Sequence, residues 1–299
     1  MKKVRIVVSL PNDNAYQHEQ GVVAKATGEQ LGLELEVIRA NDDSITQSQQ
    51  LLKFIQAPPE NRPHALLVEP VTATGLRRVA EEAVAAGIGW VISNSDVDYL
   101  EKLRKSTKVP VFTVTQGQFE IGRLQGKQLG ALLPRGGGVL NIEGPSMSSV
   151  AVQRHEGMET AKPQNVVLTT LRSKWSEQGA FQSVGAWMRL ATSRAEKFDL
   201  VIGQTHELVM GAKKALQATE DPAQKKKWQE VPYLGIGISR QVKPLVDSRV
   251  LTAAVVSSVT MDLAIRLLVR TLESQVQPPE RSVANVSSLP ELEKLTGKP

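Results

Sequence analysis

Residues 4–21 read VRIVVSLPNDNAYQHEQG, and the reading of this stretch decides the fold. Val4, Ile6, Val7 and Val8 form a run that is apolar on both faces, the pattern of a strand covered by helices on either side. The chain then turns through Leu10-Pro11-Asn12-Asp13-Asn14, and Tyr16 opens a helical pattern carried by Val22, Val23, Ala26 and Leu31. In open α/β sheets ligands bind beyond the carboxyl ends of the strands, where backbone N–H groups and short polar side chains collect. A first loop with two asparagines, an aspartate and a tyrosine therefore reads as the lip of a small-molecule site.

Outward from this unit the alternation of strand and helix continues almost unbroken. Residues 33–38 (LELEVI) alternate as a strand, and Ser44-Ile45-Thr46-Gln47 has the form of a capping box before the apolar stripe of Leu51, Leu52 and Ile55. Buried strands follow at residues 65–68, ending at Glu69-Pro70, and 90–92, ending in Ser93-Asn94-Ser95-Asp96. Between them Leu76, Val79, Ala80, Ala83 and Val84 mark a helix closed by Gly87. A fifth strand is expected at residues 109–114 and a helix at 119–133.

The pattern then restarts. Strands are expected at residues 139–142, 166–171, 200–202, 233–238 and 251–256. The helices between them include one that places Phe181, Val184, Met188 and Ala191 on one face. An amphipathic helix at residues 260–272 precedes a tail of extended, Pro-punctuated chain. Strands alternating with helices at this spacing imply parallel sheets with right-handed crossovers. The restart after about residue 115 divides them into two similar doubly wound lobes, an α/β fold.

Composition excludes several classes. The 299 residues are 41% hydrophobic and 22% charged, with no apolar run near the roughly 20 residues of a membrane span. Met1-Lys2-Lys3 resembles the start of a secretory leader, but the apolar stretch behind it is short, interrupted by Arg5, and is itself the first strand. The chain is thus expected to be either cytoplasmic or a mature form whose leader has been removed. With no cysteine there are no disulfides and no thiolate metal sites.

The net charge of +5 comes from dispersed pairs and runs (Arg77-Arg78, Lys213-Lys214, Lys225-Lys226-Lys227) that read as solvated helix ends and turns. Only Trp228 follows a basic run, in an expected loop, so an aromatic-lined nucleic-acid groove is not indicated. Gly136-Gly137-Gly138 ends a helix and precedes a strand, the reverse of a phosphate-cradling loop, and is read as a turn. Gly235-Ile236-Gly237 lies inside a strand and lacks the third glycine of a dinucleotide fingerprint. His18, His64, His155 and His206 are scattered, with no metal-ligand spacing, and no hydrolase nucleophile elbow occurs. Neither a cofactor nor a metal is expected, and an enzyme is the weaker hypothesis.

The positive signal is positional. Nearly every strand ends in a polar or aromatic cluster: Asn12, Asn14 and Tyr16; Glu69; Asn94, Ser95 and Asp96; Gln116 and Gln118; Gln204, Thr205 and His206; Ser239 and Arg240; Ser257 and Ser258. Many such residues serve only as turn formers or helix caps. Trp175 falls in a loop, where core packing explains an indole less readily than it does for Trp90 at the start of a strand.

On these residues the chain is similar to the type I periplasmic binding proteins, the group of ribose-binding protein and the effector core of the lactose-repressor family. The resemblance is carried by IVVSLPNDNAYQHEQGVVAKATGEQLG (residues 6–32), LLVEPVTATGLRRVAEEAVAAGIGWVISNSD (66–96) and NIEGPSMSSVAVQRHEGM (141–158). VIGQTHELVMGAKKAL (201–216), LGIGI (234–238) and LTAAVVSSVTMDLAIRLL (251–268) complete it, so that it covers residues 4–290 in order. It implies two lobes joined by three crossing segments, near Gln116-Gly117, Ser257-Ser258 and residues 284–286. The N-terminal lobe would be residues 1–116 plus 258–285, and the C-terminal lobe 117–257 plus 286–299. A ligand would shift the open–closed equilibrium through its better contacts in the closed form.

By the same resemblance Asn12 matches the first-loop asparagine, Arg154 the cleft arginine that forks two donors onto ligand oxygens, and Trp175 an aromatic packed on a sugar face. The full set of expected ligand-binding residues is Asn12, Asn14, Tyr16, Glu69, Asn94, Ser95, Gln116, Arg154, Trp175, Thr205, His206 and Ser257. The chain departs from the sugar-binding pattern where Asn94-Ser95, Gln204-Thr205-His206 and Gly237 replace carboxylate-bearing positions. An acidic, phosphorylated or less hydroxylated ligand therefore stays open beside a plain aldose.

The implied function is a solute-binding protein that encloses a sugar, sugar acid or polyol for an ABC-type importer or a membrane sensor such as a sensor kinase. The alternative is a cytoplasmic effector-sensing domain of a regulator. Direct nucleic-acid binding is not expected, since the roughly 60-residue helix-turn-helix region of the family's transcription factors does not precede the first strand here. Location would be periplasmic if a signal peptide was removed and cytoplasmic otherwise.

Overall fold

The computed structural model describes residues 3–72, 74–190 and 197–295. Ala73, Ala191, and the terminal residues 1–2 and 296–299 therefore lie outside the described residues, including the expected place of Ala191 on a helix face. The chain divides into two compact units, one made of Met1–Gly117 with Val259–Ala284 and the other of Gln118–Ser258 with Asn285–Pro299.

The first unit is built on β1 (Arg5–Leu10), α1 (Ala15–Gln30), β2 (Glu34–Arg39), α2 (Ser44–Ile55), β3 (Ala65–Val68), α3 (Arg77–Ala85), β4 (Gly89–Ser93), α4 (Leu100–Lys105) and β5 (Val111–Thr115). The returning chain adds, after the second unit, α11 (Met261–Ser274) and β11 (Arg281–Val283). The sheet runs β11-β5-β4-β3-β1-β2 and every pairing in it is parallel. Because strand side chains alternate, the continuous apolar run of β1 supplies both faces at once. Ile6, Val8 and Leu10 pack with Ala24 of α1 and with Met261, Ile265 and Leu268 of α11. Val7 joins Leu51, Val79 and Leu103 from α2, α3 and α4 on the opposite side.

The second unit repeats the plan with α5 (Gln118–Leu132), β6 (Gly137–Glu143), α6 (Ser149–Ala161), β7 (Val166–Arg172), α7 (Glu177–Met188) and β8 (Leu200–Gly203). Next come α8 (His206–Gln217), α9 (Pro222–Glu230), β9 (Tyr233–Ile238), α10 (Ser239–Asp247), β10 (Ala253–Ser257) and β12 (Ser287–Leu289). Its sheet order is β12-β10-β9-β8-β6-β7. Leu140 and Ile142 of β6 face Val184, Leu208 and Val209, whereas Val139 faces Leu129 and Met158. α5 and α6 lie unusually close: a Cβ on Gly122 would sit 2.0 Å from the Arg154 carbonyl oxygen, and one on Gly157 2.0 Å from that of Phe119.

Several local expectations are corrected. β12 pairs antiparallel to β10, so the second sheet is not wholly parallel. The tail is not simply extended chain, since β11 and β12 add edge strands to the two sheets. The expected loop around Trp228 is helix α9: Asp221 caps it by accepting from the N–H groups of Ala223 and Gln224, and Pro222 starts it with a preset φ. Trp228 is buried against Phe198 in the core rather than offered to a partner. Residues 44–47 do not form a capping box, because Asp43 is the cap, accepting from Thr46 N. Gln47 is thereby released to donate to Ser9 Oγ and the Glu69 carbonyl and to accept from Val71 N.

Candidate functional site

In the first unit, polar side chains from β1–α1, β3, β4 and β5 converge at the carboxyl ends of the strands. Glu69, 3% exposed at the end of β3, accepts at one carboxylate oxygen from Gln17 Nε2 (2.6 Å) and Asn94 Nδ2 (2.9 Å). Asn94 Oδ1 accepts from Gln116 Nε2 at 2.8 Å, and the same nitrogen donates to the Tyr16 hydroxyl at 2.5 Å. Gln20 Nε2 also donates to that hydroxyl, at 2.9 Å, and to Thr260 Oγ1, which meets Ser93 Oγ. Asn94 takes a positive φ of 58°, a conformation that costs an L residue energy and that local packing must hold. Ser95 beside it is buried, its carbonyl accepting from Thr113 Oγ1.

Tyr16, Glu69, Asn94 and Gln116, expected as separate strand-end residues, are thus brought into one hydrogen-bonded string. Asn12 and Asn14 sit at its edge with mainly local partners. Asn14 caps α1 by accepting from Gln17 N, while Asn12 accepts from Asn14 N and donates to Asp42 at 2.7 Å. The local reading of asparagine as a turn and cap residue describes both oxygens. Gln17, Gln20, Ser93 and Thr260 belong to the string but were not anticipated. Inside a helical pattern a glutamine carries no sign of burial, and Thr260 lies 240 residues from its partner Gln20.

In the second unit the centre is Arg154 of α6, 6% exposed. Its Nε donates to Gln118 Oε1 (2.8 Å) and its Nη1 to the Gln204 carbonyl (2.5 Å). Two donors of the expected fork are therefore spent on the protein, which fixes the plane of the guanidinium. Gln204 locks the surroundings by accepting from Gly144 N and donating to the Ala151 carbonyl. Thr205 is the N-cap of α8, its hydroxyl accepting from Leu208 N at 3.2 Å.

His206 follows Thr205, with Nδ1 at 3.4 Å from the Ile236 carbonyl. Burial lowers its pKa, opposed by that carbonyl and by the charge of Glu177. Trp175 is half-buried rather than freely offered. It packs on the core cluster, and its six-membered ring lies so close to Gly144 that a Cβ there would fall 2.2 Å from Cζ2. Ser257, at the end of β10, is buried.

Carboxylates are not missing from these strand ends. Besides Glu69, Glu143 at the end of β6 is fully buried, accepting from Asn141 Nδ2 (2.8 Å) with His155 Nδ1 at 2.5 Å and Arg172 Nη2 at 3.5 Å. The expected strand over residues 139–142 stopped one residue short of Glu143, and Glu143 was not among the expected site residues. Among the described residues no group of three or more His, Asp and Glu could hold a metal ion, and no helix is long and apolar enough to cross a membrane.

Two doubly wound lobes with polar strand-end clusters of this kind define a two-lobed binding protein. The model of the periplasmic binding protein domain matches residues 6–275, and the chain belongs to that family, one of ligand-binding proteins rather than enzymes. No curated protein matches the chain.

Solved structures share the fold. One is the fructose-binding periplasmic domain of a hybrid two-component system (TM-score 0.78, 22% identity, 95% of this chain and 89% of that one). A second is an ABC transporter solute-binding protein from Bacillus halodurans with bound myo-inositol (0.79, 19%, 98% and 96%). A third is the binding-protein component of the arabinose ABC transporter from a Shewanella species, bound to L-arabinofuranose (0.81, 16%, 97% and 93%).

Proposed function

We propose that this chain is a solute-binding protein that closes its two lobes on a small carbohydrate-like ligand, a sugar, sugar acid or polyol. It would act in the periplasm, handing the ligand to an ABC-type importer or reporting it to a membrane sensor. The observation that carries this reading is the string Gln17–Glu69–Asn94–Gln116–Tyr16–Gln20 at the carboxyl ends of β1, β3, β4 and β5. Planar amides and a carboxylate held by one another are preorganised for hydroxyls, which both give and take hydrogen bonds. Arg154, held in one plane by Gln118 and Gln204, supplies a rigid cationic donor that also suits a sugar acid. The similar structures, which bind fructose, myo-inositol and arabinofuranose, support the same class.

Isothermal calorimetry and thermal shift against D-fructose, L-arabinose, D-allose, myo-inositol and D-galacturonate test the reading. One or more is expected to bind one-to-one and raise the melting temperature, with Arg154→Ala weakening that binding. A folded protein indifferent to the whole panel would overturn it.

A further inference from the structure

The sheet of the first unit has two edge strands, β11 and β2. β11 is three residues long, the short kind of edge that offers little to a partner, whereas β2 runs for six. Its inner side is paired along its length with β1, from Arg5↔Glu34 to Leu10↔Arg39. There Glu34 N donates to the Val4 carbonyl and Ala40 N to the Leu10 carbonyl. Successive residues of a strand turn their backbone groups to opposite sides, so Glu34, Glu36 and Ile38 face β1 while Leu35, Val37 and Arg39 face away from it. The outward carbonyl of Arg39 accepts from Gln50 Nε2 at 3.0 Å. Among the described residues, the outward N–H and C=O groups of Leu35 and Val37 have no protein partner.

Side chains alternate in the same way. Leu35 and Val37 pack on the α1 and α11 side of the sheet, and Ile38 on the α2 side. Glu34, Glu36 and Ile38 therefore share the α2 face at this edge. A groove of about 520 Å³ lies there, with Ile38, Phe54 and Ala57 as its apolar lining and the exposed Lys53 beside them. Glu34 and Glu36, with side chains 62% and 49% exposed, share a single cation: Arg5 Nε is 3.4 Å from the first and Arg5 Nη2 3.7 Å from the second. Two carboxylates against one guanidinium leave one negative charge unbalanced, and that guanidinium also donates to the Asn61 carbonyl.

We propose that the outer edge of β2 docks an extended segment of a partner protein, which adds a strand to the first sheet. The backbone row chooses the kind of occupant, because paired N–H and C=O groups recurring about every 6.6 Å match another strand. The charges choose its side chains. A cationic residue fits beside Glu34 or Glu36, and an apolar residue two or four positions along fits beside Ile38 and the groove, where Lys53 disfavours a second cation. This surface lies apart from the strand-end sets described above and does not depend on which solute the chain takes.

Two measurements on the whole chain test it. In the free protein, amide hydrogen exchange should be fast at Leu35 and Val37 and slow at Glu36 and Ile38. Slow exchange at all four would show the edge already covered and would overturn the proposal. For docking, the probes are the capped hexapeptides KTKTIT and TITKTK, which carry the pattern in the two chain directions, with ETETIT and TITETE as acidic controls. One lysine peptide should shift the Leu35 and Val37 amide resonances, slow their exchange and bind roughly tenfold more tightly than its acidic control.

Val37→Pro removes an outward N–H at an edge position, where proline is tolerated, and should weaken that peptide by about tenfold. If this variant does not fold, Glu34→Lys combined with Glu36→Lys leaves the backbone row intact and should reverse the preference toward the acidic peptide. No shift at Leu35 and Val37 with millimolar peptide, or equal binding of basic and acidic peptides, would overturn the proposal. So would sedimentation showing that a second copy of the chain occupies the edge instead.

Discussion

His206 couples stability to pH at the level of a single side chain. It opens α8 directly after the Thr205 cap, and it lies over the two strand glycines, its Cα 3.1 Å from a Cβ built on Gly235 and its ring Nδ1 2.9 Å from one built on Gly237. Burial is the largest cause of its lowered pKa, so the folded protein favours the neutral ring. The unfolded chain binds a proton near the ordinary value of 6.5, above the folded one. The folded state is then at no disadvantage above pH 6.5 and loses stability as pH falls below it toward the folded pKa. Urea unfolding at pH 7.5 and pH 5 should show a smaller acid-induced loss in His206→Gln than in wild type. An equal loss would place the acid sensitivity elsewhere. The glycines were visible in the sequence as a strand feature, but the histidine packed against them was not, because contact between β9 and α8 is made only by folding.

Among the elements, the pairing of α5 with α6 decides where Arg154 stands. Gly122 and Gly126 on α5 and Gly157 on α6 bring the helix backbones together: a Cβ on Gly126 would lie 2.7 Å from the Met158 carbonyl oxygen, and the other two would lie closer still to theirs. Glycine inside a helix costs about 1 kcal/mol relative to alanine, so close approach is the physical compensation. Gly157→Ala should therefore destabilise the protein despite its better helix propensity, by roughly 1–3 kcal/mol from overpacking. It should also weaken ligand binding by tilting Arg154 away from Gln118 and Gln204. Chemical denaturation and calorimetry would read the two effects, and a neutral or stabilising result would show that the helices can separate freely. The three glycines were legible as letters but not as a contact, since their spacing within each helix does not name the partner. Helix α9 makes the complementary point: it was read as a loop because, with Trp228 its one buried residue, it lacks the apolar stripe by which helices are recognised.

For the whole molecule, each unit has its own sheet and its own buried clusters. If both strand-end sets hold one ligand, saturation should raise the unfolding transitions of both units. At a ligand concentration of 100 times Kd the stabilisation is about 2.7 kcal/mol. Scanning calorimetry with the best-binding sugar or polyol is the measurement, and a shift confined to the transition of one unit would show that only that unit binds.

The alternation of apolar runs, the restart after the fifth strand and the polar strand ends were all determined by the sequence. These depend on periodicities of two and 3.6 residues and on turn chemistry, which act within a few positions along the chain. That is why the two-lobed class and most of the strand-end residues were legible. Which of those residues work together was decided only by tertiary structure. Asn14 and Thr205 are occupied as caps, and Trp175 leans on Gly144. Glu69, Asn94, Gln116, Tyr16 and the unforeseen Gln20 become one string because parallel strands bring distant strand ends side by side. Such a set of contacts is a property of the folded sheet, and no segment of the chain carries it alone.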